Sequence, residues 1–121
     1  MNIEEIRDYC LSLPETNESF PFDEKTLVFK VKGKMFAMTD LEHTEWLSVK
    51  CEPEYAQELR AKHTEIEAAY HMNKKYWNQI NVQGSLNTNF VEKLINHSYN
   101  EVVKKMPKKE RENLPFLDES E

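Results

Sequence analysis

"TLVFKVKGKMFAMT", residues 26–39, decides the fold. Two runs of β-branched, aromatic and long apolar residues flank Lys32-Gly33-Lys34, and a glycine between such runs marks a tight hairpin. In the first run Leu27, Phe29 and Val31 share one face, while Val28, Lys30 and Lys32 share the other. Side chains alternate along a strand, so the hairpin is expected to carry a core face and a lysine-bearing solvent face.

Outward from this hairpin the chain alternates in kind. Upstream, "NIEEIRDYCLSLP" spaces Ile3, Ile6, Tyr9, Cys10 and Leu13 as one face of a helix; Asn2 caps it, Glu5 answers three residues on, and Pro14 ends it. "ETNESFPFDEK" reads as a polar connection anchored by Phe20 and Phe22. Downstream, "WLSVKC" is a third strand, and Pro53 opens the helix "PEYAQELRAKH" at its first position. "IEAAYH" and "YWNQINV", joined by "MNKK", make two more strands: Tyr70 ends one, Asn73-Lys74-Lys75 is the exposed tip, and Trp77 starts the next. From about Asn89 to Lys105, Phe90, Leu94, Ile95, Tyr99, Val102 and Val103 mark a last amphipathic helix, with Tyr99 docking it on the sheet. The order is α-β-β-β-α-β-β-α. Short connections then give an α+β domain, a mostly antiparallel five-stranded sheet with helices packed on it. Residues 1–112 are expected to form one domain, and 113–121 an acidic C-terminal tail, its charged end fraying.

Composition narrows the functional classes. The 121 residues include 22 acids against 16 lysines and arginines, a formal net charge of −6 that disfavours nonspecific binding of DNA or anionic membranes by the whole surface. No apolar stretch has the roughly 18 residues of a membrane span, and the acidic, amphipathic start does not read as a signal peptide. Cys10 and Cys51 stand apart, so a cytoplasmic protein with reduced thiols is expected. On the same ground the glycosylation patterns at Asn17 and Asn96 are coincidental.

Charge is unevenly spread. Residues 25–38 hold Lys25, Lys30, Lys32 and Lys34 and no acid; the second hairpin adds Lys74 and Lys75; the end of the last helix adds Lys104, Lys105, Lys108, Lys109 and Arg111. Lysines on hairpins protect sheet edges, and they also neutralise phosphates. Trp77 follows the lysine tip and either stacks on a base or packs under Tyr99.

The series "LP" at 13–14 followed by "ESFPF" at 18–22, "VFKVKGKMFAM" at 28–38, "VKCEPEYAQELR" at 49–60, "NKKYWNQI" at 73–80 and "LINHSYNEVVKKMPKKER" at 94–111 resembles the MmcQ/YjbR family of small bacterial proteins, in family order and over most of the chain. The resemblance implies a fold like type III secretion chaperones and a double-wing DNA-binding role in which two hairpins act as wings. It implies no catalytic activity. One departure is Ala68-Ala69, where the family often has a proline near the start of the fourth strand.

The residues carry little other chemistry. His43, His63, His71 and His97 lack ligand spacing, no glycine elbow surrounds a serine, and Gly33 and Gly84 make no phosphate loop. Cys51 precedes a helix N-terminus that lowers a thiol pKa, unless it is simply a small core residue. The expectation is a DNA-binding protein without catalytic residues, metal or cofactor. Its contacts are Lys30, Lys32 and Lys34 on one wing and Asn73, Lys74, Lys75 and Trp77 on the other, and its binding is weak and salt-sensitive. The alternative is a protein-interaction or chaperone-like module with a protein partner. A monomer with no membrane association is expected in either case.

Overall fold

A computed structural model describes residues 1–120 of the protein. The chain runs α1 (Ile3–Ser12), β1 (Thr16–Ser19), β2 (Thr26–Val31), β3 (Lys34–Asp40), β4 (Trp46–Lys50), α2 (Pro53–Lys62), β5 (Ile66–Ala68), β6 (Trp77–Asn81), α3 (Thr88–Lys104) and α4 (Lys108–Arg111). The sheet has six strands, in the order β1-β2-β3-β4-β6-β5, and every neighbouring pair is antiparallel.

The sixth strand corrects the expected five. Thr16–Ser19 lies inside the stretch that reads as a polar connection, and it pairs along β2 from Thr16 opposite Val31 to Ser19 opposite Val28. Its sequence shows no apolar alternation because Glu18, facing the helices opposite Phe29, is covered by an ion pair with Arg7 of α1 instead of by apolar packing. The α1 boundaries follow the sequence: Asn2 and Glu5 form a reciprocal capping box, and Leu13 closes the helix ahead of Pro14.

One face of the sheet carries the core. Phe29, Ala37, Val49 and Asn78 stand in register across β2, β3, β4 and β6, under α1, α2 and α3. The next row, Val28, Met38, Ser48 and Gln79, turns to the opposite face. Strict alternation breaks once. A bulge at Phe29/Lys30 leaves Phe36 with no partner on β2, so Phe36 and Ala37, adjacent in sequence, are both buried. Phe36 meets Tyr99 edge-to-face at 5.7 Å, and the Tyr99 hydroxyl donates to the carbonyl of Pro14. Leu94 and Ile95 of α3 are buried in the same cluster.

Two further segments differ from expectation. β5 ends at Ala68, three residues short of the alternation read to His71, because Met72 N–H donates to the Ala69 carbonyl and Tyr76 N–H to that of Asn73, turning the chain before Trp77. Residues 114–120 fold back along α3, with Leu114 and Leu117 packed against the core. Asn100 of α3 donates to the Leu117 carbonyl and accepts the Leu117 N–H, both at 2.9 Å, and Asn96 donates to the Asp118 carbonyl.

Candidate nucleic-acid interface

Antiparallel pairing sends the β2–β3 tip, the end of β4, the start of β6 and the end of β5 to the same end of the sheet. Both lysine-bearing tips therefore share one end of the molecule. At the first, Lys32 (φ 46°) and Gly33 (φ 79°) are both left-handed, as a two-residue hairpin turn of the right twist requires. Lys34 is exposed there. Lys32 is also exposed, and its Nζ donates to the Glu110 carbonyl at 2.7 Å, which ties this tip to α4 and brings Lys108, Lys109 and Arg111 beside it. Lys30 is half-buried one register pair back, opposite Asn17 and Met35, so it supports the tip from behind.

At the second tip Lys74 and Lys75 are exposed. Asn73 does not offer a free amide oxygen, because its Oδ1 accepts the Lys75 N–H and shapes the loop. The Tyr76 ring lies under two ammonium groups, Lys75 at 5.5 Å and Lys105 at 5.0 Å. Lys105, at the end of α3, so joins the second tip.

Between the tips β3 and β4 part. Their ladder holds two register pairs, Ala37–Val49 and Met38–Ser48. Where the next bond would run, the Ser98 hydroxyl of α3 stands instead: it accepts the Lys50 N–H at 2.8 Å and donates to the Phe36 carbonyl. The gap opens into a groove of about 410 Å³ lined by Lys34, Met35, Lys50, Trp77, Lys105 and Met106 among others. None of these three lysines makes an ion pair with an acid among the described residues, whereas Lys104 beside them is paired with Glu101 at 2.6 Å. Partial burial, and then the charge of Lys105, lower the pKa of Lys50. Trp77 is 8% exposed and lines the groove opposite Lys50.

Lys50, Lys105 and Ser98 were not among the residues expected to meet here. Lys50 alternates with Trp46 and Ser48 on the non-core face, but only the pairing of β4 with β6 places it beside Trp77.

The cysteines lie elsewhere. Cys10 and Cys51 are buried, and burial pushes both thiols up to about 12. The α2 N-terminus after Cys51 is occupied by the Glu52 side chain, which accepts from Glu54 and Tyr55 N–H. His97 Nε2 accepts the Glu52 N–H, which leaves Nδ1 to donate to Glu119 at 2.8 Å. No helix among the described residues is long and apolar enough to cross a membrane.

Comparison with known proteins gives a consistent picture. The YjbR family model matches residues 11–101. Protein YjbR of Escherichia coli K12, described as uncharacterized, is 32% identical over 118 residues, which is 97% of this chain and all of that protein. YbdF of Escherichia coli O157:H7 is 28% identical over 112 residues, 92% of each chain. Among solved structures, the Deinococcus radiodurans protein DR2400 superposes with a TM-score of 0.88 at 39% identity, covering 94% of this chain and 89% of that one. A Pseudomonas syringae protein superposes with a TM-score of 0.74 at 26% identity, covering 84% and 99%.

Proposed function

The chain belongs to the YjbR family, and on that footing we propose that it is a non-catalytic cytoplasmic DNA-binding protein that uses the basic end of its sheet. Lys32 and Lys34 on one hairpin and Lys74 and Lys75 on the other serve as the wings, and Lys108, Lys109 and Arg111 extend the surface. The observation that carries this reading is the convergence of both tips and the end of α3 around a groove whose lysines have no carboxylate partner among the described residues. A protein with net charge −6 can bind phosphates through such a patch, because at physiological salt exposed charges beyond about 8 Å are screened.

The test is a titration of labelled duplex at about 20 mM and about 150 mM salt, across which phosphate-driven affinity falls steeply. Replacing Lys32, Lys34, Lys74 and Lys75 by Ala should weaken binding to every sequence and flatten the salt slope by about 0.9 for each phosphate no longer neutralised. Binding absent at both salts, or indifferent to all four lysines, refutes the reading. A second reading, an interaction module of the secretion-chaperone kind, draws on the net acidic charge and on the way α3 holds the extended segment 117–120 by its backbone. It expects no binding of DNA at either salt.

A further inference from the structure

The groove between β3 and β4 contains more than phosphate binding calls for. A duplex backbone would need only the exposed ammonium groups at the tips. The groove sets Lys34, Lys50 and Lys105 around an apolar floor of Met35, Trp77 and Met106. It is also a built opening. Ser98, fully buried, replaces a strand-to-strand bond with a bridge through its hydroxyl, so the parting of β3 from β4 is held open at no loss of hydrogen bonding.

We propose that this groove takes one unstacked nucleotide, its phosphate among the three lysines and its base on the apolar floor, so that the basic end prefers single-stranded DNA to duplex. This rests on the DNA-binding reading above and specifies its ligand. The volume of about 410 Å³ lies within the range of pockets that enclose small ligands. Thioethers adapt to flat rings of varied outline, so Met35 and Met106 suit a base without selecting its identity. Lys50 and Lys105 repel each other until an anion arrives, and partial burial of Lys50 makes that repulsion harder for water to relieve. A duplex must first unpair and unstack a nucleotide to fill the groove, a cost that a single strand largely avoids.

The test uses the full chain carrying Trp46→Phe, which leaves Trp77 as the sole tryptophan reporter. Three probes of equal length are titrated at about 20 mM salt, where phosphate contacts are strongest: an oligo-dT strand, an abasic strand with the same phosphates, and a duplex. The oligo-dT strand should bind about tenfold tighter than either of the others, in line with the gain per base held on an apolar platform, and should change Trp77 emission at saturation. Lys50→Gln and the more exposed Lys105→Gln should each cost the oligo-dT strand several-fold more than the duplex. Equal affinity for the abasic and oligo-dT strands, or Trp77 emission unmoved at saturation, overturns the nucleotide site. If the duplex still binds with a steep salt dependence, the DNA-binding reading survives that failure; if no probe binds, both fall.

Discussion

Helix α3 carries two polar clusters that differ in whether the protein itself satisfies them. On its middle turns Asn96, His97 and Asn100 are buried, and each is hydrogen-bonded to residues 117–119. At its C-terminal end Lys105 shares a groove with Lys34 and Lys50, and no acid among the described residues pairs with them. Buried polar groups cost free energy unless bonded, so the first cluster fastens a segment in place and contributes stability. The second leaves its charges without a carboxylate partner among the described residues, Lys50 at some cost from burial, and so leaves an anion site open. Polar residues a few positions apart on one helix thus divide between holding the fold and facing a ligand.

Substitutions should expose this division, and the apolar face of the same helix sets the scale. Leu94→Ala removes a buried aliphatic side chain and leaves a cavity, so urea denaturation should show a loss of about 2–5 kcal/mol. A loss under about half a kcal/mol would mean that α3 does not close the core. Asn100→Ala deletes a side chain that makes three hydrogen bonds to residues 117–119. At about 1 kcal/mol each, a cost of about 2–3 kcal/mol is expected, with faster amide exchange at Leu117. If Asn100→Ala is neutral, the segment is not held by this cluster and the contrast disappears.

Acid should loosen the segment that the satisfied cluster holds. Hydrogen bonds from Ser120, and then the Lys93 ammonium, hold the Asp118 carboxyl down at about 2. A carboxyl with a depressed folded pKa adds stability that is complete above its ordinary value near about 4 and is lost as pH falls through the folded value. Amide exchange at residues 118–120 should therefore quicken as pH drops from about 4 towards 2, after correction for the intrinsic pH dependence of exchange. The smallest effect is expected at the open cluster. Lys50→Gln removes a charge that burial and Lys105 already disfavour, so stability should stay within about 0.5 kcal/mol of the parent or rise slightly. A loss above about 1 kcal/mol would mean that Lys50 has a structural partner and that the groove is not an open site.

Much of the fold was legible because local patterns and tertiary contacts agree. The 26–39 hairpin, the capping box of α1, Pro53 at the start of α2 and the apolar stripe of α3 all lie where spacing and cap chemistry place them. β1 was hidden because its inward residue is a glutamate answered by Arg7, a pairing that no local pattern announces. β5 was read too long because turn hydrogen bonds within 69–76 prevail over alternation. At the candidate site, Lys32, Lys34, Lys74 and Lys75 stood out as tip residues, and the tips proved to share an end. The Asn73 Oδ1 accepts from the Lys75 N–H of its own loop, and Trp77 lines the groove.

By itself the sequence determined what short-range physics controls: which segments are helix or strand, which faces are apolar, and where lysines crowd a turn. Tertiary structure alone decided which of those turns meet. Strand order places β6 beside β4, so Lys50 faces Trp77 across 27 residues of chain. The Ser98 hydroxyl, unremarkable in a helix, parts two strands only because α3 crosses the sheet at the position where their ladder would continue. Spacing along the chain cannot encode such encounters, because they depend on the packing of elements that are distant in sequence and adjacent only once the core has closed.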